Sequence, residues 1–189
     1  MNRPNSSGQS ALLLLDVIDV LNKFRVSYAV IGALAAGFYG VVRASLDADA
    51  VISLKDAGKN LNSFIAELKT HFHVSHQRGD LEDPIGGVIK VTDRFHNQVD
   101  LIISIRGMKE DVFSRLVKTK FKDGYLQLIG IEDFIAMKIF AGSPKDLDDA
   151  RGVLKISSKK INLALLRQVT SFYGKDAALK LEELLKEKM

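Results

Sequence analysis

The chain has 189 residues, of which 47% are hydrophobic and 26% charged, the balance of an ordinary globular protein long enough to bury one core. It contains no cysteine, which excludes disulfides, thiolate metal sites and a cysteine nucleophile, and fits a reducing compartment. The net charge of +4 is mild, so any attraction to phosphate must come from a local patch.

The leader "MNRPNSSGQ" is expected to be mobile. The apolar run that follows it, "ALLLLDVIDVL", is interrupted by Asp16 and Asp19 and has no small-residue cleavage site after it. It is too short and too charged to span a bilayer, so the expected location is the cytoplasm, without a membrane. Leu12, Leu15, Ile18 and Leu21 recur at helical spacing and predict an amphipathic helix from Ala11 to Phe24.

"VSYAVIG" is β-branched and aromatic and predicts a buried strand ending in Gly32, followed by a short helix of small residues, "ALAAGFYG". "ADAVISL" predicts the next strand. In "KDAGKNLNSFIAELKTHF", Leu61, Phe64, Ile65 and Leu68 form one helical stripe, with Asp56 suited to the first turn. "GGVIKVTD" and "QVDLIIS" read as two strands of a hairpin joined by "RFHN". "MKEDVFSRLVK" reads as a helix and "GYLQLIG" as a strand.

From Ile131 the chain turns helical in "IEDFIAMKIFAG", "SPKDLDDARGVLK" and "KDAALKLEELLKEK". Ser143 is a natural N-cap, Pro144 suits the first helical position and Asp146 stands where a capping-box acid would. Mixed strands and helices first, helices last, imply an α+β fold: a core over residues 1–130 and a helical part over 131–189 packed on it. The basic runs "RLVKTKFK" and "KISSKK" are read as solvated faces, with a nucleic-acid surface as the rival reading.

The chemistry concentrates in "SLDADAVISL". Side chains alternate across a strand, so Asp47 and Asp49 project from one face a few ångströms apart. Two carboxylates so close repel, and a hard divalent cation removes that penalty. Asp100 opens another apolar strand; if the two strands are neighbours, it completes a three-carboxylate cluster able to hold two metal ions for in-line phosphoryl or nucleotidyl displacement. Gly32 lies between a strand and a helix, where free backbone N–H groups favour a phosphate, or where a tight turn simply needs glycine. Lys138 shares the core-facing stripe with Ile131 and Phe134, so it either snorkels or meets a buried anion. Arg43 either pins the loop before the acids or touches substrate phosphates.

"VIGALAAGFYGVVRASLDADAVISL", "VDLIIS" and "IEDFIAMKIFAGSPKDLDDARGVL", in this order from about Tyr28 to about Leu154, resemble the nucleotidyltransferase superfamily with its polymerase β-like core. Within it the chain is most similar to the bacterial AbiEii and MenT toxin branch. The resemblance implies a mixed β-sheet flanked by helices and a Mg2+-dependent enzyme, with two ions, that moves a nucleotide monophosphate from a nucleoside triphosphate onto a hydroxyl of RNA, protein or a small molecule. It implies Asp47, Asp49 and Asp100 as catalytic metal ligands, Asp100 also helping to deprotonate the acceptor.

Gly32, Ala33, Arg43 and Ser45 match the nucleotide-binding lead-in. Lys138 resembles the helix lysine at the triphosphate, and Lys145, Asp146 and Asp149 resemble the branch's "KD…D" signature. Ala33 stands where the family has Gly or Ser, so a hydroxyl contact is lost and the backbone N–H remains. The branch also implies an antitoxin partner. The rival readings are a nucleotide- or partner-binding module without turnover, a nucleic-acid-binding protein with structural acids, and a zinc site at His71, His73 and His76.

Overall fold

The computed structural model of the chain describes residues 2–53, 55 and 61–187. The expected first-turn Asp56 lies outside them. Helix α1 (Ser10–Lys23) is followed by strand β1 (Tyr28–Val30), helix α2 (Gly32–Phe38), strand β2 (Asp47–Ile52) and helix α3 (Leu61–Lys69). Then come β3 (His73–Arg78), β4 (Ile85–Thr92), β5 (Gln98–Ile105), a 3-10 turn (Glu110–Ser114), β6 (Val117–Phe121) and β7 (Gly124–Leu128). Helices α4 (Ile131–Ala141), α5 (Pro144–Ile156), α6 (Leu163–Ser171) and α7 (Lys175–Lys186) end the chain.

The strands form one seven-stranded sheet in the order β3-β4-β5-β2-β1-β7-β6. β2 runs parallel to β5 and β1 parallel to β7, while the remaining neighbours are antiparallel. This is the expected α+β class with a mixed sheet. Alternation along the strands divides the apolar side chains between two clusters. Leu101, Ile89, Val91 and Val99 pack on one face with α1 and with Phe64 and Leu68 of α3. Val51, Ile129 and Ala29 pack on the other with α2 and the four C-terminal helices, through Phe134, Ile135, Val153, Leu166 and Leu181.

The Ser143 cap is as predicted: its Oγ accepts from the Asp146 backbone N–H at 3.2 Å, with Pro144 in the first turn. The "MKEDVFSRLVK" helix is not found. Val112, Phe113 and Leu116 do turn toward the core, but over a short 3-10 turn, and "VKTKF" leaves it as edge strand β6 paired with β7. Its alternation of β-branched or aromatic residues with lysine satisfies a hairpin better than a helix.

The leader is tied down rather than loose. Asp16 of α1 is fully buried, and Arg3 meets it at 2.7 Å while also bridging Asp19 and Asp123. A buried carboxylate requires such a partner, and here the leader supplies it. Asn97 fixes the rest of the segment, accepting from Gln9 N–H and donating to the Ser6 carbonyl. Among the described residues no helix is long and apolar enough to cross a membrane.

Candidate active site

The parallel pairing of β2 with β5 sets the site. Asp47 stands opposite Gln98 and Asp49 opposite Asp100, so all four side chains leave the same face of the sheet. Each of Asp47, Asp49 and Asp100 offers an oxygen, and these lie within 4.8 Å of one another. Among the described residues this is the single group of three or more His, Cys, Asp or Glu ligands close enough to hold an ion. His71, His73 and His76 run along β3 and the turn before it without forming such a group.

Each acid is held by a neighbour. Ser45 Oγ donates to Asp47 Oδ1. Gln98 Nε2 lies 3.0 and 3.1 Å from the two oxygens of Asp100. Asp49 is pressed against Gly32, whose φ of +64° begins α2. Burial pushes the Asp49 carboxyl up to about 6, with the charges of Asp47 and Asp100 adding to it and those of Lys138 and Arg43 opposing it. Asp100 is also raised, by burial first, while Lys90 and Gln98 act against the rise. Three crowded carboxylates, two of them reluctant to ionise, form an all-oxygen donor set suited to a hard divalent cation.

The neighbouring cations are already paired within the protein. Lys138 Nζ, on buried helix α4, lies 2.7 Å from Asp146 Oδ1 and 3.0 Å from Asp149 Oδ2. Arg43 Nε lies 3.1 Å from Asp149 Oδ1. Of the two readings of Lys138 the buried anion holds, but that anion is carboxylate from α5. Arg43 pins its loop to the same buried Asp149. Lys145 is exposed on α5.

Ala33 is buried in the first turn of α2. Together with Leu34, Phe38, Arg43, Ser45, Asp47 and Ser10 of α1 it lines a cavity of about 430 Å³ that opens beside the acids. Gln98, and Lys90 opposite Asp100 on β4, were not foreseen. Gln98 stands two residues before Asp100 on the same strand face, a signal the sequence carries. Lys90 could be placed only once the hairpin register was known.

The sequence matches no protein-family profile, and no curated protein matches it. Solved structures do resemble it. A nucleotidyltransferase-like antigen of Paracoccidioides brasiliensis superposes with a TM-score of 0.57 at 15% identity, over 97% of this chain and 90% of that one. The fold is that of the nucleotidyltransferases. ANT(2″)-Ia, solved with adenylyl-2″-tobramycin, gives a TM-score of 0.57 at 12% identity over 87% of this chain and 96% of its own. A Thermotoga maritima protein described as a putative nucleotidyltransferase gives 0.55 at 16% identity, over 82% of this chain and 98% of that one. With identities this low, the nucleotidyltransferase fold is what the likeness carries, and the chemistry rests on the acids.

Proposed function

We propose that the chain is a Mg2+-dependent nucleotidyltransferase that moves a nucleotide monophosphate from a nucleoside triphosphate onto an acceptor hydroxyl. The observation that supports this reading above all is the convergence of Asp47, Asp49 and Asp100, from two strands in parallel register, on a nucleotidyltransferase fold. Those three residues would hold the metal, and two ions are expected. Bound there, Mg2+ supplies charge neutralisation for the phosphates and lowers the pKa of an oxygen it coordinates.

The chain's own residues do the rest. The triphosphate enters the cavity beside Asp47, with the backbone of Gly32 and Ala33 at the start of α2 and with Arg43 and Ser45 in its wall. Lys138 and Arg43, aligned by Asp149, direct positive charge toward the site, as their effect on Asp49 indicates. Asp100, oriented by Gln98, takes the proton of the acceptor hydroxyl. The acceptor oxygen bonds to the α-phosphorus, the bond from that phosphorus to the α–β bridging oxygen breaks, and pyrophosphate leaves. Such a transfer depends mostly on positioning and charge stabilisation, so these few groups suffice.

Assignment to the AbiEii/MenT-like branch, with an antitoxin as partner and the cytoplasm as location, rests on the Lys145, Asp146 and Asp149 pattern and on composition. Asp146 and Asp149 also have structural work as partners of Lys138. That internal neutralisation, together with Ala33, favours a second reading in which nucleotide is bound and not turned over. Incubation with each labelled triphosphate, Mg2+ and cell extract separates the two. Label transferred by the wild type and not by Asp49→Asn supports the enzyme. Nucleotide binding by the wild type with no transfer to any component supports the binding module.

A further inference from the structure

The sheet pairings that align the acids also lay out the surface next to them. Asp49 on β2, Asp100 on β5, Lys90 on β4 and Ser75 on β3 stand opposite one another in a single row across four strands. The next row is Asp47, Gln98, Thr92 and His73. Directly opposed residues share a face, so both rows lie on the face that carries the acids. Neighbouring strands are about 4.8 Å apart, which gives this face a reach of roughly 14 Å from Asp49 to the β3 edge.

The same strands bury Ile89, Val91, Val99 and Leu101 on the opposite face, under α1 and α3. On the acid face His73, Ser75 and Lys90 are exposed, and Thr92, Gln98 and Asp100 are half-buried. The result is an open, hydrophilic floor of hydroxyl, amide and imidazole groups with one cation, adjoining the acid assigned above to the acceptor proton.

Its charge is selective. Lys90 takes part in no ion pair among the described residues, and its charge is felt at Asp100. Apart from the acid triad, neither row holds a carboxylate. Asp93, in the nearby hairpin loop, is engaged by the N–H groups of Phe95 and Asn97 and by the Asn97 amide. Asp80, Glu82 and Asp83 lie in the β3–β4 loop, at the far end of the strands. An amine-rich acceptor would meet repulsion from Lys90, and the carboxylates on this face are the three assigned to the metal. A hydroxyl flanked by a phosphate finds Lys90 for its charge and Ser75, Thr92 and Gln98 for its oxygens.

We propose that this open face is the acceptor platform and that Lys90 binds the phosphate of a ribose phosphate whose hydroxyl is presented to Asp100. The proposal rests on the nucleotidyltransferase reading and narrows its acceptor. The source of the ribose phosphate is either the end of a polynucleotide or a free sugar phosphate. In either case the reaction is that written above, with the hydroxyl proton passing to Asp100 and pyrophosphate released.

The test uses the full chain with Mg2+, each of the four labelled triphosphates, and three acceptor probes: a short oligoribonucleotide with a free 3′ hydroxyl, ribose 5-phosphate, and tobramycin. Triphosphate affinity is measured separately by calorimetry without acceptor. The expected result is label on the oligoribonucleotide or on ribose 5-phosphate, and the one labelled identifies the source. Lys90→Glu should raise the acceptor KM by about tenfold or more, the loss of one charge-assisted contact, while Lys90→Arg keeps both the wild-type KM and the wild-type triphosphate affinity. Transfer to tobramycin alone, an acceptor KM indifferent to Lys90→Glu, or triphosphate bound with none of the three probes labelled would each overturn the acceptor assignment and leave the nucleotide site standing. Failure of the wild type to bind any triphosphate in Mg2+ would instead overturn the nucleotidyltransferase reading, and this proposal with it.

Discussion

The Asp49 carboxylate occupies the space that a side chain on Gly32 would need: a β-carbon built on Gly32 would lie 2.0 Å from Asp49 Oδ2. Gly32 also has a φ of +64°, in the left-handed region that other residues adopt at a cost of about 1–2 kcal/mol. One glycine therefore serves the turn into α2 and the approach of an acid to that turn. Gly32→Ala should lower the melting temperature and displace Asp49, abolishing Mn2+ binding by calorimetry. An alanine variant that binds Mn2+ like the wild type would show that the contact is incidental.

The crowding of the acids has a pH signature in metal-free protein. Asp49 is raised from 3.8 to about 6 on folding, so between those values the folded state holds a proton that the unfolded state has released. Stability must then fall as pH rises through that window, by roughly 3 kcal/mol at most, and the penalty is fully present by neutral pH. In EDTA, thermal melts should show the wild type more stable at pH 5 than at pH 7, with Asp49→Asn losing most of that slope and melting higher at pH 7. Mg2+ at pH 7 should stabilise the wild type and not the variant. Identical slopes for the two proteins would remove Asp49 as the source.

Buried Lys138 and Asp149 form a chain of charges with half-buried Arg43, and breaking it should be expensive. Asp149→Ala leaves Lys138 with only Asp146 and releases Arg43, and the loss of one member of a buried pair costs on the order of 3–5 kcal/mol. Urea unfolding should show that loss. The double variant Lys138→Met with Asp149→Leu should recover part of it, since an apolar pair of similar volume removes the two buried charges and leaves only the half-buried Arg43 and Asp146 to be solvated. A double variant no more stable than Asp149→Ala would mean that packing rather than charge governs this position.

How much of this could be read from the chain alone differs from place to place. The spacing of Asp47 and Asp49 within an apolar run was enough to put both on one face, because strand periodicity is rigid. Whether Asp100 joined them depended on which strands are neighbours, and that pairing spans 51 positions of register, from Asp49 to Asp100, that no local pattern encodes. The helix expected over "MKEDVFSRLVK" is a 3-10 turn at Glu110–Ser114, and its last two residues, Val117 and Lys118, belong to β6, where pairing with β7 overrides local helical preference. β3 carries little pattern to read, since its residues are mostly exposed and Val74 is the one apolar side chain it packs on the core. Arg3 was read as part of a loose leader because nothing near it in sequence announces that Asp16 is buried and in need of a cation.

That last contact carries its own expectation. Arg3→Ala removes the cation from the buried Asp16 carboxylate, leaving it the backbone N–H of residue 3, and should cost about 2 kcal/mol, the scale of a hydrogen bond to a charged group. Limited proteolysis should then cut within the first nine residues at a protease dose the wild type resists. Because Ser10 and Gly8 line the cavity beside Asp47, triphosphate affinity should weaken as well. Unchanged stability and unchanged cleavage together would show that the leader is not held by Arg3.

The central claim is that Asp47, Asp49 and Asp100 together bind a divalent cation beside a triphosphate. Crystals of the full chain grown with Mn2+ and a non-hydrolysable nucleoside triphosphate, measured at the manganese absorption edge, test it directly. The account predicts anomalous density bonded to oxygens of all three aspartates at about 2.1 Å, the distance typical of small hard cations, with the triphosphate in contact with it. Nucleotide bound without any ion among these three residues, or manganese bound only elsewhere on the molecule, would contradict it.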